Sequence, residues 1–535
     1  MTPPTAIGTP ARYPFTFNPV TEPRGRARVR WHDLLAGLDG VELTGDPDVE
    51  IDAITHDSRL VTPGACFACI PGAVTDGHEH AREAIAAGAV ALLVERPLPF
   101  TVAQARVPSV RAALGPAAAA LYGWPSAAMR TLGVTGTNGK TTTTYLLEAI
   151  ARRAGDRVGV IGTVGARLTS AGGTPAGGTA AGGAGETLAT RHTTPEANEL
   201  QELLARMRDA GVETVAMEVS SHALDQHRVD GTRFAAVCFT NLSHDHLDYH
   251  GSLDAYFDAK ARLFDSARAT AAAVNIDDAR GDALVERARV TGLDAWTYAV
   301  DSPTADVTAL VPEYRADGTR FTLVDRRGSG RAQVHLGLVG AFNLANALAA
   351  AATGRAAGFD FDTVAAGLGE PLVVPGRFER VDAGQPFPVL VDYAHTPDAL
   401  SRVLAAARPL TRAGGRVICV FGCGGDRDAA KRPLMGRAVA AAADVAVLTS
   451  DNPRSEDPQS IADAVLPGLA DGRAAVTVEL DRRAAIAGAL AEARAGDVVV
   501  LAGKGHETGQ TTAGRTVPFD DRTVAQEELG ALGWK

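Results

Sequence analysis

Cysteine is scarce in this chain. The 535 residues include five cysteines: Cys66, Cys69, Cys238, Cys419 and Cys423. Such an odd and sparse set excludes a disulfide framework and favours a reducing compartment. Cys66 and Cys69 form a CxxC pattern, but residues 65–70 predict a strand, in which side chains three apart point to opposite faces. Because there is no second CxxC, we do not expect a metal site there.

Long apolar runs and an excess of positive charge are also lacking. No uncharged apolar run reaches the ~18 to 20 residues that span a bilayer, so we expect a cytoplasmic protein without a membrane span. Lys and Arg number 52 against 63 Asp and Glu, for a net charge of −11. This field repels polyanions and argues against nucleic acid as a partner. A local cationic pocket for a small phosphorylated ligand is still compatible with this net charge. We also expect the protein to be a monomer.

The remaining composition is that of a globular protein, with 46% hydrophobic and 21% charged residues. At roughly 150 residues per domain, this length predicts three to four units. Strand-like and helix-like runs alternate along the chain, which predicts the α/β class. The sequence predicts a disordered tail over residues 1–30 and three domains. They are an N-terminal domain over 31–128, a central domain with a mostly parallel sheet over 129–374, and a Rossmann-like C-terminal domain over 375–535. The central domain is predicted to carry a flexible Gly/Ala-rich insert at 170–185.

A glycine-rich loop follows a short apolar strand that ends at Thr135. Its residues are Gly136, Thr137, Asn138, Gly139, Lys140, Thr141 and Thr142, and an amphipathic helix comes next. In such a loop the backbone N–H groups surround phosphate oxygens, the lysine reaches the β and γ phosphates, and the threonine hydroxyl can hold Mg²⁺. The strict P-loop pattern has glycine where Val134 stands. The sequence has no Asn-Lys-x-Asp guanine motif, so the loop favours ATP.

Candidate metal ligands follow the next two predicted strands. Glu218 ends the strand at 214–217, and a carboxylate there points into the ligand crevice of an α/β fold, within reach of a nucleotide-bound magnesium. The helix before this strand is predicted to begin at Thr194, as its N-cap, with proline at N1. Residues 244–250 contain three His and two Asp, which predicts a metal or phosphate site. Lys260 lies in the helix predicted at 256–264 and by itself would be a surface lysine.

The C-terminal part carries three polar loops, at residues 422–427, 451–454 and 503–507. An arginine and a glutamate from separate loops suit a zwitterionic ligand, because a guanidinium binds a carboxylate bidentately and a carboxylate pairs with an ammonium group. Arg454 and Glu507 are the candidates for these two roles.

Taken together, these motifs resemble those of the Mur ligase family. The shared motifs, in order, are TGTNGKTT (135–142), EVSSH (218–222), NLSHDHLD (241–248), GRFE (376–379), DYAHTP (392–397), DNPR (451–454) and GKGHE (503–507). The resemblance covers the chain from about residue 31, except the insert.

For the nucleotide site, the resemblance implies ATP and Mg²⁺ as cofactors and Lys140, Lys260 and His246 as catalytic groups. Lys260 would be carbamylated by CO₂, which turns a cation into an anion that can bind a second Mg²⁺. Thr141, Glu218 and His246 would be the other magnesium ligands. The resemblance also implies that Asn343 and Asn346 approach the adenine, and that Arg377 and Asp392 complete the site after domain closure.

The resemblance also implies two substrate sites. The residues for the UDP-linked substrate are Ser58, Thr193, Thr194, Ser220, Gln226 and Arg228. Those for the amino acid are Arg427, Asp451, Asn452, Pro453, Arg454, Gly503 and Glu507. The implied activity is ATP-dependent addition of meso-2,6-diaminopimelate to UDP-N-acetylmuramoyl-L-alanyl-D-glutamate in peptidoglycan synthesis, through an acyl phosphate.

Arg454 favours diaminopimelate because L-lysine would bring an ammonium group to it in place of the distal carboxylate. Three alternatives stay open: a lysine-adding Mur ligase, a ligase like folylpolyglutamate synthetase, and a nucleotide-gated binding protein.

Overall fold

The computed structural model describes residues 28–72, 75–168, 187–188, 192–315, 317–470 and 472–534. Residues 1–27 of the predicted tail and the whole predicted insert at 170–185 lie outside the described residues. No helix within these ranges is long and apolar enough to cross a membrane.

The N-terminal part is a small α/β unit. Its strands are β1 (Val29–Arg30), β2 (Glu42–Thr44), β3 (Glu50–Ile51), β4 (Ala53–Thr55), β5 (Ala65–Ala68), β6 (Ala91–Val94) and β7 (Ala103–Arg106). Its helices are α1 (Trp31–Leu35), α2 (Ala81–Ala86) and α3 (Val110–Leu121), with 3-10 turns at Ser58–Leu60, Gly77–His80 and Pro125–Ala128. Five strands form one sheet in the order β2-β7-β6-β5-β4, and only β2 is antiparallel. Cys66 and Cys69 are buried in two different cores, as their spacing predicts.

The central part holds the largest sheet. Its strands are β8 (Arg130–Thr135), β9 (Val158–Gly162), β10 (Gly165–Leu168), β11 (Thr187–Leu188), β12 (Thr214–Glu218), β13 (Phe234–Phe239), β14 (Ala269–Asn275), β15 (Asp294–Ala299), β16 (Val307–Arg315), β17 (Gly318–Asp325) and β18 (Gly330–Leu336). Its helices are α4 (Lys140–Arg153), α5 (Ala197–Asp209), α6 (Ser221–Asp225), α7 (Leu247–His250), α8 (Leu253–Ala261), α9 (Gly281–Val290), α10 (Ala341–Ala356) and α11 (Phe361–Leu368).

This sheet has the order β11-β10-β9-β12-β8-β13-β14-β15-β16-β17-β18. The seven strands from β9 to β16 in that order are parallel, and the strands at both ends are antiparallel. Helices α4, α10 and α11 pack on one face, and α5 and α9 pack on the other. Coverage on both faces explains why the parallel strands are almost wholly apolar.

The C-terminal part is a second parallel-sheet unit. Its strands are β19 (Glu379–Val381), β20 (Val389–Asp392), β21 (Val417–Phe421), β22 (Val445–Leu448), β23 (Ala475–Val478), β24 (Val498–Ala502), β25 (Gly509–Thr512) and β26 (Arg515–Pro518). Its helices are α12 (Pro397–Ala407), α13 (Lys431–Ala442), α14 (Pro458–Leu469), α15 (Arg482–Glu492) and α16 (Asp521–Ala531), with a 3-10 turn at Arg408–Leu410. The order is β19-β20-β24-β21-β22-β23, in which β19 alone is antiparallel, and β25 pairs with β26 as a hairpin. The predicted α/β class is confirmed.

Ligands of such folds bind at the carboxyl ends of the strands. In the central sheet β12, β8 and β13 are neighbours, so the motifs that follow them meet at one edge. In the C-terminal sheet the neighbours β24, β21 and β22 bring the loops at 503–507, 422–427 and 451–454 together in the same way. The two edges face each other, because Arg377 Nη2 donates to Thr141 Oγ1 at 3.0 Å and Asn138 Nδ2 donates to Asp398 Oδ2 at 3.1 Å.

Candidate active site

The glycine-rich loop turns sharply between β8 and α4. Gly136 and Gly139 have φ of +147° and +90°, a backbone region that favours glycine. A Cβ on Gly136 would lie 1.9 Å from Thr240 Oγ1, and one on Gly139 would lie 2.2 Å from Asn346 Oδ1. The loop therefore requires both glycines for its conformation and for its close packing, although Val134 departs from the strict pattern.

Two lysines share this loop. Lys140 Nζ donates to the carbonyl oxygens of Gly136 and Thr137, both at 2.9 Å, and Lys260 Nζ donates to Gly136 O at 2.8 Å. Lys260 is 1% exposed, so the surface position that its helix alone suggested is wrong. Burial, and next the Lys140 ammonium, lower the pKa of Lys260 well below its usual value. Both effects favour the neutral amine form of Lys260 over the ammonium form.

Glu218 is 1% exposed at the end of β12. Its Oε1 accepts hydrogen bonds from Thr141 Oγ1 and from the Thr163 backbone N–H, both at 2.9 Å, and its Oε2 accepts one from Thr163 Oγ1 at 3.0 Å. Glu218 and Thr141 are both predicted magnesium ligands, and the structure places them in direct contact. Two buried oxygen donors side by side match the ligand preference of Mg²⁺.

The histidine-rich segment lies beside this pair. The ring centroid of His246 is 4.7 Å from that of His222, which in turn is 5.5 Å from that of His250. His246 has φ of +53°, and its side chain is 45% exposed. In the described ranges no group of three or more His, Cys, Asp or Glu is arranged to hold a metal ion alone. A metal here therefore needs phosphate, water or another protein oxygen to complete its ligands.

The predicted residues for the UDP-linked substrate, apart from Ser58, lie in the central part. Thr193 Oγ1 lies 3.2 Å from Thr163 Oγ1, so it adjoins the Glu218 site. Arg228 donates to Thr194 O at 3.1 Å and to Gln226 Oε1 at 2.7 Å. Arg228 also pairs with Glu196 at 2.9 Å, a partner that the sequence analysis missed.

Thr194 has a different structural role from the predicted one. The N-cap of α5 is Glu196, which forms a capping box with Glu199, so the predicted helix start at Thr194 is wrong. The Thr194 hydroxyl instead donates to Glu218 O at 2.9 Å and accepts from the Ser220 backbone N–H at 3.1 Å. Ser220 in turn caps α6 through its side chain. Thr194 thus ties the strand that carries Glu218 to the start of α5.

Ser58 lies in the N-terminal part, on the 3-10 turn Ser58–Leu60. Its hydroxyl donates to Glu83 Oε2 at 3.2 Å within the same unit. This unit contacts the central part nearby, since His56 Nδ1 and Asn198 Oδ1 are 2.9 Å apart.

The residues predicted around the nucleotide base are buried. Asn346 Nδ2 donates to Asn343 Oδ1 at 3.2 Å, and Asn343 Nδ2 donates to Val339 O at 2.9 Å. A cavity of about 190 Å³ lies beside them, and its lining includes Asn343, Arg377 and Phe378. It therefore lies between the central and C-terminal parts.

Arg377 and Asp392 come from the C-terminal side. The Arg377 guanidinium contacts Thr141 and lies 4.6 Å from the centroid of the Tyr393 ring, and its buried Nε has no hydrogen-bond partner among the described residues. Asp392 accepts hydrogen bonds from the backbone N–H groups of Phe378 and Ala394, and burial raises its pKa to about 6. Asp392 therefore shapes the backbone next to Arg377, and Arg377 already reaches the glycine-rich loop.

The loops predicted to bind the amino acid form a second cluster. Asn452 Nδ2 donates to Glu507 Oε2 at 2.8 Å, and the backbone of Gly503 approaches Asp451. Arg454 Nη1 donates to Gly425 O at 2.6 Å, and the backbone N–H of Arg454 donates to Thr511 O in the β25–β26 hairpin.

Two further predicted residues lie at the margin of this second cluster. Pro453 continues the same loop, and its carbonyl oxygen accepts from the Glu456 backbone N–H. Arg427 is exposed and donates to Asp426 O at 3.3 Å.

Three neighbours of these sites escaped the sequence analysis. Lys504 is fully buried beside Glu507. The Tyr256 hydroxyl accepts a hydrogen bond from Thr137 Oγ1, and its ring faces Lys260 Nζ at 4.3 Å. Asp398 contacts Asn138 from the C-terminal part. Lys504 lies inside the GKGHE motif at 503–507, which was the available signal, whereas no local sequence pattern marks Tyr256 or Asp398.

Family models match most of the chain. The model described as "Mur ligase family, catalytic domain" matches residues 50–122, "Mur ligase middle domain" matches residues 134–354, and "Mur ligase, glutamate ligase domain" matches residues 376–505.

Individual proteins match over nearly the whole length. A UDP-N-acetylmuramoyl-L-alanyl-D-glutamate–2,6-diaminopimelate ligase of Gloeobacter violaceus is 46% identical over 506 residues, 94% of this chain and 98% of that protein. A solved structure of a ligase with the same name aligns with a TM-score of 0.67 at 33% identity and covers 95% of this chain and 100% of that one. A folylpolyglutamate synthase of Mycobacterium tuberculosis, solved with ADP, shares the fold at 20% identity, with a TM-score of 0.57 and coverage of 72% and 90%. The matched family models and the identity over nearly the full length establish that the chain belongs to the Mur ligase family.

Proposed function

We propose that this chain is an ATP-dependent amide ligase that adds meso-2,6-diaminopimelate to UDP-N-acetylmuramoyl-L-alanyl-D-glutamate in peptidoglycan synthesis. The observation that carries the proposal is the set of contacts that the Arg454 side chain makes. Its guanidinium donates to a backbone carbonyl, and no described carboxylate lies within ion-pair distance of it. The remaining N–H groups of this guanidinium would bind the second carboxylate that distinguishes diaminopimelate from lysine. The 46% identical relative that carries the diaminopimelate ligase name supports the same choice.

The first half-reaction forms an acyl phosphate. The γ-carboxylate of the D-glutamyl residue attacks the γ-phosphorus of ATP, the bond from that phosphorus to the bridging oxygen breaks, and ADP leaves. Lys140 and the loop N–H groups would bind the phosphates, in exchange for the carbonyl contacts that Lys140 makes now. Their positive charge neutralises the oxygens during transfer, which is the main catalytic effect in phosphoryl transfer.

Magnesium fits this site. Thr141 and Glu218 would hold the ion, whose charge would stabilise the transferring phosphoryl group. His246, with Lys260 as a carbamate, would hold a second one. Carbamate formation requires a neutral amine, and the lowered pKa of the buried Lys260 favours that form. The ammonium of Lys140, which contacts the same Gly136 carbonyl, favours an anion at Lys260.

The second half-reaction forms the amide. The amine of diaminopimelate attacks the acyl carbon, inorganic phosphate leaves, and the amine gives up a proton. The loops at 451–454 and 503–507 would bind the amino acid through Arg454, Asp451, Asn452 and Glu507. An acyl phosphate hydrolyses readily, so the contacts between the central and C-terminal parts have a function in excluding water.

Phosphate release from the purified protein tests the proposal. With ATP, Mg²⁺ and the UDP-linked dipeptide present, we expect phosphate release to depend on diaminopimelate, with L-lysine a poor replacement. Lysine turnover equal to that with diaminopimelate would make the chain a lysine-adding enzyme. Phosphate release that needs neither substrate would indicate a nucleotide-gated binding protein instead.

Two further proposals follow from this chemistry. Because ATP and the UDP-linked precursor are cytoplasmic metabolites, the reaction is placed in the cytoplasm. All the proposed catalytic and substrate-binding groups come from one chain, so a monomer suffices for activity. Light scattering tests that prediction.

A further inference from the structure

Lys504 is a fully buried lysine in the loop that follows β24, with 0% of its side chain exposed. Its Nζ lies 3.2 Å from Glu507 Oε2, 3.3 Å from Asn452 Oδ1 and 3.7 Å from Asp451 Oδ1. A buried ammonium group is tolerated only where polar and charged partners compensate for its lost hydration. These partners come from both loops proposed to bind the amino acid, so Lys504 connects the two loops.

The two positively charged side chains of this cluster, Lys504 and Arg454, have different kinds of partner. The Lys504 ammonium is held by protein carboxylates. Arg454 contacts the backbone oxygen of Gly425 and forms no ion pair within 4.0 Å among the residues that the structure describes, although the exposed Asp426 lies near enough to interact with its charge. With Asp451 and Glu507 as the two anions, the formal charges of the four side chains cancel. Arg482 also stabilises the Asp451 carboxylate, but its own partner Asp521 balances its charge. Removal of the Lys504 charge therefore leaves this group of side chains with one net negative charge.

The net charge of the site matters for the choice of amino acid. Diaminopimelate has two ammonium and two carboxylate groups and no net charge, whereas L-lysine has one extra positive charge. A net negative site would attract lysine more strongly than diaminopimelate, because the attraction between charges in a buried site is only weakly screened.

We propose that Lys504 is a positioning residue that determines amino-acid specificity, because it balances Asp451 and Glu507 and so disfavours substrates with a net positive charge. The inference rests on the proposed function and deepens it.

The test compares Lys504→Met with the wild-type enzyme in competition between labelled diaminopimelate and L-lysine. Methionine keeps much of the side-chain length and removes the charge. We expect the ratio of kcat/KM for diaminopimelate to kcat/KM for lysine to fall about tenfold, with the KM for ATP unchanged. A purely structural role would lower both values of kcat/KM together and keep their ratio, and that result would overturn the inference.

Asp451→Asn provides the opposite change and decides the question if Lys504→Met does not fold. It leaves the site with one net positive charge, so the ratio is expected to rise above the wild-type value. A lower or unchanged ratio in folded Asp451→Asn protein would count against the inference. Arg483→Met removes a charge at the surface of the same unit, where Arg483 pairs with Glu527 and Glu528, and should leave the ratio unchanged.

The wild-type measurement separates this inference from the proposed function. If the wild-type enzyme does not couple diaminopimelate, the proposed function fails. If it couples diaminopimelate and both variants keep its selectivity, the function stands and only the role of Lys504 is overturned.

Discussion

At the residue scale, the two lysines of the glycine-rich loop have opposite expected roles. Lys140 is proposed to remain a cation that binds phosphate, whereas Lys260 is proposed to become an anion. Both contact the same carbonyl oxygen of Gly136, so neither distance nor burial alone distinguishes the two roles. Substitution of each lysine, with and without added carboxylic acids, can distinguish the two roles.

Lys140→Ala is expected to lower the rate of amide formation about a hundredfold or more, because the phosphoryl oxygens lose a cation that is already positioned. The measurement is product formation from the UDP-linked dipeptide, ATP and diaminopimelate, with circular dichroism to verify folding. Activity close to the wild-type level would remove the glycine-rich loop from the mechanism.

Lys260→Ala is expected to be inactive and to recover part of its activity in short-chain carboxylic acids, which replace the missing anion. Lys140→Ala is the matched control, because added carboxylate cannot replace a cation. If both variants respond alike to formate or acetate, the proposed carbamate is wrong. Mass spectrometry of the intact wild-type protein in bicarbonate buffer gives an independent readout of the modification.

Arg454→Ala is expected to raise the KM for diaminopimelate about tenfold or more, while the KM for ATP stays near its wild-type value. Its guanidinium is proposed to bind the distal carboxylate, and loss of a charge-assisted bidentate contact has this order of effect. Steady-state kinetics with each substrate varied in turn measure both constants. Arg412→Ala, at an exposed position of the same unit, is the control. An equal loss for both substrates would indicate a general defect.

At the scale of elements, strand ends were more predictable than helix starts. The position of Glu218 at the carboxyl end of a parallel strand follows from the apolar run before it, and the structure agrees. The predicted N-cap at Thr194 was wrong because its hydroxyl donates to the backbone of a distant strand, and local helix signals contain no tertiary contacts. Lys504 was missed for the same reason, since its partners lie in two loops that meet only in the folded sheet.

The ends of β22 and β24 are connected by a buried ion pair. Arg482 donates to both carboxylate oxygens of Asp521, at 2.8 and 2.6 Å, and to the carbonyl oxygens of Ser450 and Ala502. Both side chains are 0% exposed. These carbonyls directly precede the two loops of the amino-acid site, so the pair fixes where those loops start.

Arg482→Met is expected to lower the free energy of unfolding by about 3 to 5 kcal/mol, because Asp521 would remain as an unpaired buried charge. Urea denaturation measures the loss, and hydrogen exchange in β22 and β24 localises it. The double variant Arg482→Met with Asp521→Asn removes that charge and should recover part of the stability. No recovery would mean that the lost hydrogen bonds to Ser450 and Ala502, and not the unpaired charge, account for the effect.

At the scale of the whole molecule, polar contacts between described residues join the central and C-terminal parts at the site. They include Arg377 with Thr141 at 3.0 Å, Asn138 with Asp398 at 3.1 Å, and His244 with Asp428 at 3.6 Å. The sequence predicted that the C-terminal part completes the nucleotide site only after closure, and this arrangement already contains such contacts. Which residues mediate them could not be predicted, because motif order along the chain does not specify how two units face each other.

Asp398→Ala is expected to uncouple ATP use from amide formation. Asp398 contacts the glycine-rich loop only through Asn138, so its loss should loosen closure without removing a phosphate ligand. Water would then reach the acyl phosphate, and the ratio of phosphate released to amide formed should rise above one. Parallel assays of phosphate and product measure this ratio. Asp382→Ala, which breaks an exposed ion pair with Arg380, is the control in the same unit. If the ratio stays at one while the rate also stays at the wild-type value, this contact has no part in closure, and water exclusion depends on other contacts between the two parts.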